Sequence, residues 1–291
     1  MEKEALAKLM VLKGIKGYGN KRVLDIVKSS NNLDSAFDLF IKKSLVTEND
    51  LSKQYDILID CERNKINILT YFDRYYPENL KLINYPPLIL FTKGNLSLLS
   101  KPSISIVGTR QASNYTIEWT YRIAQELANA GYSIISGGAL GIDFVAHKGA
   151  LDSNGNTICV LGCGLNNIYP KDNSYLIDEI SNKGLVISEY SPRAHVNRFS
   201  LLERNRITSG LGDRLILVST KLSGGAMSQY KVAVSQKKEI FCPNPNLKLE
   251  PVEGIIKVCQ ENKNVRIISN AMDILNSPSL QKKIPLESFA N

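Results

Sequence analysis

Apolar positions along the chain change their period twice. Through residues 3–60 they recur three and four apart, in Leu6, Leu9 and Met10 and again in Val23, Ile26 and Val27, the spacing of short amphipathic helices. Residues 64–100 lose that period and carry Tyr76-Pro77 and Tyr85-Pro86-Pro87. Proline disfavours helix in the residue before it, so extended chain and turns are expected there. From residue 103, short apolar runs at 103–107, 132–135, 157–161, 185–188, 215–219 and 239–242 alternate with helical stretches such as 117–130 and 142–151. That alternation predicts βαβ units and a doubly wound, mainly parallel sheet. The expected organisation is a small all-helical domain over 1–63, an α/β domain over 64–276 and a tail over 277–291.

Composition narrows the setting. The 291 residues are 43% hydrophobic and 22% charged, as in a folded rather than a disordered protein. A count of 36 Lys+Arg against 28 Asp+Glu gives a net charge of +8, spread along the chain, which favours an acidic partner. No run of about 18 apolar residues is present and Met1-Glu-Lys-Glu starts no signal peptide, so no membrane span and a cytoplasmic location are expected. The scattered Cys61, Cys159, Cys163, Cys242 and Cys259 argue against a disulfide scaffold and fit a reducing compartment. With His147 and His195 the only histidines, a His-rich metal site is excluded; neither metal nor cofactor is expected.

Two local features read in two ways. Gly14-Ile-Lys-Gly17-Tyr-Gly19 joins two helices, either as a tight turn or as a loop offering backbone N–H groups to a phosphate. Arg193, Arg198, Arg204 and Arg206 crowd a stretch whose one acid is Glu203, either a solvated loop or a basic surface.

The strand ends carry the chemistry. The first ends in Gly108-Thr109-Arg110, the second in Ser136-Gly-Gly-Ala-Leu-Gly-Ile-Asp143, the third in Gly162-Cys-Gly-Leu165 before Tyr169-Pro-Lys-Asp-Asn173, and a later one near Ser223-Gly-Gly225. In a doubly wound sheet these loops share one edge, where exposed N–H groups suit anions and Arg110 and Lys171 add full charges. The usual nucleotide motifs are missing. No G-x-G-x-x-G follows the first strand, no P-loop occurs, and Asn167 stands where Gly162-Cys163-Gly164 would need its third glycine.

These residues carry a family resemblance. Tyr76-Pro-Glu-Asn-Leu80, Tyr85-Pro-Pro-Leu88 and Lys93-Gly-Asn95 are followed in order by Ile106-Val-Gly-Thr-Arg110 and Ser136 to Asp143 with Ala146-His147 and Ala150-Leu151. Then come Val160-Leu-Gly-Cys-Gly-Leu165 with Tyr169-Pro170 and Asn173, Ser188-Glu-Tyr190, Phe199 and Arg204-Asn-Arg-Ile207. Over roughly residues 64–242 the chain resembles the bacterial DNA-processing protein A (DprA, or Smf) family, and the helical segment is similar in placement to that family's small sterile-alpha-motif-like domain. The resemblance implies an extended Rossmann-like fold, binding and protection of single-stranded DNA, a homodimer, and loading of the RecA recombinase in natural transformation. The segments Ser223-Gly-Gly-Ala-Met-Ser-Gln229, Phe241-Cys-Pro-Asn-Pro-Asn246 and 247–263 depart from the family pattern where its members dimerise and contact RecA. No winged-helix domain, present in some members, is expected after the Pro/Ser/Lys tail.

The residues expected at DNA are Gly108, Arg110, Ser136, Gly137, Gly138, Gly164, Tyr169, Lys171, Asn173, Phe199, Arg204, Asn205 and Arg206. In this reading Arg110 and Lys171 clamp phosphates, while Gly137, Gly138 and Gly164 admit the DNA backbone. Tyr169 and Phe199 offer stacking faces, and Arg204 and Arg206 extend the track, unless one of them braces Glu189 or Glu203. A dimer is expected along residues 215–242, where Val232, Val234 and Ile240 are either contact surface or core.

No active site assembles, so an enzyme is not expected. Asp143 and His147, four apart on one helix face, read as an acid–base pair or as groups bracing the loops. Cys159 and Cys163 lack a second pair for zinc and read as buried thiols, and Glu189 is the lone carboxylate expected at the ligand edge. The alternative is a nucleotide-binding or nucleotide-cleaving enzyme similar to the cytokinin-activating phosphoribohydrolases. Their Pro-Gly-Gly-x-Gly-Thr-x-x-Glu loop is met here only by Ser223-Gly-Gly225, without the Pro or the catalytic Glu.

Overall fold

The computed structural model describes residues 2–30 and 32–277; the tail expected over 277–291 lies, Ser277 apart, outside them. Four helices come first: α1 (Lys3–Gly14), α2 (Asn20–Ser29), α3 (Leu33–Lys42) and α4 (Glu48–Arg63). The sheet then begins with β1 (Asn67–Thr70), α5 (Glu78–Lys81) and β2 (Ile89–Gly94), within the segment read as extended chain and turns. The alternating part follows as β3 (Ser103–Val107), α6 (Asn114–Asn129), β4 (Ser133–Ser136), α7 (Ile142–Asp152), β5 (Thr157–Leu161), α8 (Ser174–Lys183) and β6 (Leu185–Ser188). It continues with α9 (Arg198–Leu211), β7 (Arg214–Leu217), α10 (Gly225–Ser235) and β8 (Glu239–Pro243). Last come α11 (Glu253–Glu261), β9 (Arg266–Ile268) and α12 (Ala271–Leu275).

The nine strands form one sheet in the order β1-β2-β6-β5-β4-β3-β7-β8-β9 among the described residues. From β6 to β9 all pairings are parallel, whereas β2 pairs antiparallel with both β1 and β6. The chain thus winds outward from β3 to β6 and then returns to start β7 on the other side of β3. This is the doubly wound, mainly parallel sheet expected from the alternation, in the extended Rossmann-like form that the resemblance implies, and its order reverses between β3 and β7. Ligands of such sheets bind where strand order reverses, beyond the strand C-terminal ends.

Both faces are covered, which is why the strands read as continuous apolar runs. Successive residues point to opposite faces: Ile134 joins Trp119 and Ile123 of α6, while Ile135 joins Ile207 and Leu211 of α9. Serines inside the strands keep their hydroxyls bonded to backbone. Ser105 Oγ donates to Thr208 O at 2.7 Å and Ser103 Oγ to Leu211 O at 3.2 Å, seating α9 on β3.

Strand β7 begins one residue before the apolar run that announces it. Arg214 is buried there, its Nε donating to Glu239 at 2.8 Å on neighbouring β8, a charged start that hydrophobic period cannot reveal. The departing segment 247–263 holds α11, built on buried Ile255 and Val258, and leads to the edge strand β9, which no apolar alternation announced.

The helical unit is fastened to the sheet by apolar packing and by charge. One apolar cluster runs from Leu9, Leu12, Phe37 and Phe40 to Leu88, to Phe91 of β2 and to Ile177 of α8. At the end of β6, Glu189 is buried beneath the α1–α2 connection. Lys13 Nζ donates to its backbone oxygen at 2.5 Å and Asn20 Nδ2 to its Oε1 at 2.6 Å, while Arg206 Nη2 reaches both carboxylate oxygens from α9 at 2.7 and 2.8 Å. The glycine connection, turned at Gly17 with φ of 83°, is flanked by these two Glu189 contacts, from Lys13 before it and Asn20 after it. Glu189, expected at the ligand edge, is occupied by the protein's own cations. A second tie pairs Arg193 with Asp60 at 2.7 Å and holds the Asp60 carboxyl below the usual range. No described helix is long and apolar enough to cross a membrane.

Candidate nucleic-acid interface

The loops after β3 and β7 are held side by side by backbone hydrogen bonds. Val218 N donates to Val107 O at 2.9 Å and Thr109 N to Ser219 O at 2.8 Å. Ile142 N then donates to Thr109 O at 3.1 Å, bringing the loop after β4 alongside. The first turn of α9 closes the fourth side, capped by Asn197, whose Oδ1 accepts from Ser200 N at 2.8 Å. Between them lies a cleft of about 830 Å³.

Its charge is one-sided. Arg110, Arg198 and Lys221 line it and are exposed, and no ion pair engages them among the described residues. Its one carboxylate is Asp143, which is buried and accepts from Ala139 N at 3.4 Å. Burial pushes the Asp143 carboxyl up toward its neutral form, against the nearby charge of Arg204. Tyr169 lines the cleft with a half-exposed ring.

Of the residues expected at DNA, Gly108, Arg110, Gly137, Tyr169, Arg204 and Asn205 line this cleft. Lys171 is exposed in the short turn after Tyr169 but does not line it, and exposed Phe199 stands one position beyond Arg198 without lining it. Ser136 is buried, its Oγ donating to Ile106 O at 2.6 Å. Asn173 is likewise buried, with Nδ2 on Gly138 O at 3.0 Å.

At these glycines the protein itself occupies the space that a side chain would need. A Cβ on Gly164 would sit 2.2 Å from Pro192 O, and one on Gly138 would sit 2.8 Å from Cys159 Sγ. At Gly137 it would fall 1.8 Å from Arg204 Nη1, because that guanidinium passes beneath the loop to donate to Val160 O at 2.6 Å. Arg204 is buried and Arg206 holds Glu189, so neither forms an exposed track. Sequence reasoning passed over Lys221, which stands just before the Ser223-Gly224-Gly225 loop it had singled out, and left Arg198 inside an unresolved cluster. Ile240 is core, whereas Val234 on α10 is exposed.

A family model described as DNA recombination-mediator protein A matches residues 67–278. The chain belongs to that family. It is 32% identical over 237 residues to the DNA processing protein DprA of Bacillus subtilis, covering 80% of this chain and 79% of that protein. It is 29% identical over 290 residues to Protein Smf of a Synechocystis strain, covering 96% of this chain and 68% of that one. The fold superposes on DNA processing protein A of Streptococcus pneumoniae with a TM-score of 0.77 at 28% identity, covering 94% and 97% of the two chains. For the Helicobacter pylori protein, whose structure describes a single-stranded DNA binding mode, the TM-score is 0.67 at 31% identity, over 76% and 98%.

Within this family member, Asp143 and His147 do not form an acid–base pair. His147 is fully buried and its Nδ1 lies 2.7 Å from Thr157 Oγ1. That hydroxyl already donates to Ile134 O at 2.8 Å, so the imidazole must donate from Nδ1, leaving Nε2 bare and without a partner. Burial depresses the imidazole to about 3. In the unfolded chain it takes a proton near 6.5, so between these values the unfolded state binds more protons and stability falls as pH falls. Melting temperature is therefore expected to decline from pH 6.5 toward 4, and His147→Gln to flatten that decline; parallel slopes in the two proteins would refute the assignment. Burial also pushes the Cys159 and Cys163 thiols up, as inert core groups.

Proposed function

We propose that the protein binds single-stranded DNA across the cleft at the ends of β3 and β7, protects it and passes it to RecA in natural transformation. In this reading it is a cytoplasmic mediator with no chemistry of its own. The observation that carries this is the charge of the cleft: Arg110, Arg198 and Lys221 face it free of ion pairs among the described residues, and its one acid is the buried Asp143. A phosphate chain meets three cations there and no competing exposed carboxylate. Tyr169 supplies a ring face for a splayed base, a contact open to a single strand and closed to a stacked duplex. The binding mode described for the Helicobacter pylori relative supports the same ligand. We infer further that two copies associate through the late elements, with exposed Val234 of α10 on the contact surface.

A gel-shift series tests the reading, with labelled oligothymidine challenged by single-stranded, double-stranded and mononucleotide competitors. Single strands are expected to displace the probe at the lowest concentration, and light scattering on the same samples to give a dimer. Preferred displacement by mononucleotides, with free base released from purine nucleotides, would move the protein to the nucleotide-cleaving alternative.

A further inference from the structure

Between β1 and β2 the chain leaves the sheet for an excursion through residues 71–88 whose side chains divide sharply. Tyr76 turns inward, its hydroxyl donating to Pro87 O at 2.7 Å, and Leu80 and Ile83 pack into the core. Phe72, Tyr75, Leu82 and Tyr85 turn outward, with 42, 59, 83 and 59% of their surface exposed. Large apolar side chains gathered on one short exposed segment mark a surface that meets something.

Cations accompany these rings. The Arg74 guanidinium lies 4.4 Å from the centre of the Tyr75 ring. From the helical unit, Lys28 Nζ stands 4.8 Å over Tyr71, whose ring meets Phe72 edge-on at 5.6 Å. The acids of the excursion are engaged within it. Asp73 Oδ2 accepts from Thr70 N at 2.6 Å and from its Oγ1 at 2.8 Å, and Glu78 pairs with Lys81 at 2.8 Å. Exposed rings interleaved with cations are the chemistry of a stacking platform for single-stranded nucleic acid, since every base has a face to stack and every linkage a charge to neutralise. A duplex keeps its base faces covered and fits this surface poorly.

The excursion and the cleft are joined through α9. Leu80 and Ile83 pack against Gly210 in the last turn of α9, where an added Cβ would lie 2.8 Å from Leu80, and Asn79 Nδ2 donates to Asp213 Oδ1 at 3.1 Å just beyond the helix. The first turns of the same helix line the cleft through Arg198, Leu201 and Leu202. At about 1.5 Å of rise per residue, the helix sets the anchor of the excursion roughly 20 Å from the Arg198 end of the cleft, a span that a few nucleotides bridge.

We propose that the 71–85 excursion is a second contact surface for single-stranded DNA, on which bases of a strand leaving the cleft stack against Phe72 and Tyr75 while Arg74 meets its phosphates. The proposal rests on the cleft's reading as a DNA site. Its signature is a dependence on length. The test is fluorescence anisotropy with oligothymidines of about 6 and about 25 nucleotides, sizes that bracket single and extended contact. Phe72→Ala with Tyr75→Ala removes two partly exposed rings outside the buried core, and circular dichroism and thermal melting check the fold. The variant is expected to bind the long oligonucleotide about 30-fold more weakly, from roughly 1–3 kcal/mol per stacked base, and the short one within about twofold of wild type. Trp at both positions is expected to restore the long-strand affinity. Wild-type affinity for the long strand overturns the proposal, as does an equal loss for both lengths. A variant that binds DNA normally but shifts the light-scattering mass also overturns it, making the patch a self-contact. Arg110→Ala run alongside separates the two readings: if it leaves both lengths unaffected, it is the cleft assignment that fails.

Discussion

Alanine at both Arg110 and Arg198 is expected to weaken oligothymidine binding about 100-fold near physiological salt. Each side chain is exposed on the cleft wall and free of ion pairs among the described residues, so each is open to donate to a phosphate. A hydrogen bond to a charged group contributes about 1.5 kcal/mol or more, and two such contacts give roughly 3 kcal/mol, at 1.4 kcal/mol per tenfold. The salt dependence should flatten as well, by roughly 1.4 log units per log unit of salt, since each single-strand phosphate neutralised carries about 0.7. Surface substitutions of this kind leave stability within about 0.5 kcal/mol, so the melting temperature stays near wild type. Lys171→Ala, outside the cleft, is expected to change affinity far less. Anisotropy titrations at several salt concentrations measure all of this, and wild-type affinity and slope in the double variant would move the DNA off this sheet edge.

That prediction shows where sequence and structure part. The sheet was legible because strands covered on both faces are continuous apolar runs, and because glycine-rich loops recur at their ends. Arg110 was legible too, standing directly after such a loop. What one chain cannot show is which partner a glycine accommodates. Gly137 and Gly164 have the signature of loops that admit a ligand, and the absence of a side chain there also makes room for the Arg204 guanidinium and for the backbone oxygens of Ser191 and Pro192. Arginines in a helix pose the same difficulty. Arg198, Arg204 and Arg206 lie within one helix, and rotation about its axis decides that the first faces solvent, the second runs under a loop and the third meets Glu189. Lys221 was passed over because it precedes its glycines where Arg110 follows one. The α1–α2 connection is the opposite case, because its tight turn was readable while its partner, a carboxylate 169 positions away from Asn20, was not.

The buried arginine leads to the largest stability effect expected in the molecule. Arg204 Nη1 donates to Val160 O at 2.6 Å, and its charge offsets part of the burial that lifts the Asp143 carboxyl. Arg204→Met removes both services at once and leaves an uncompensated buried acid, a change that costs about 3–5 kcal/mol. Burial already lifts the Asp143 carboxyl in the folded protein, and without the guanidinium it is lifted further, so the folded state of the variant binds more protons than the unfolded over a wider pH interval. Stability of the variant should then fall as pH rises from the ordinary carboxylate range toward neutrality. Asp143→Asn in the same background removes the charge that must be buried and should recover part of the loss, giving a coupling of opposite sign to the single effects. Urea denaturation of wild type, both single variants and the double at pH 5 and pH 7 closes the cycle. Comparing Arg204→Met with the double variant at each pH cancels the contribution of His147, which runs the other way. Gly137→Ala approaches the same contact from its other side, driving a methyl group into the guanidinium without altering any charge, and should destabilise the protein at both pH values. Strictly additive losses for Arg204→Met and Asp143→Asn would mean that the two charges do not sense each other, and that Arg204 acts through its hydrogen bond to Val160 alone.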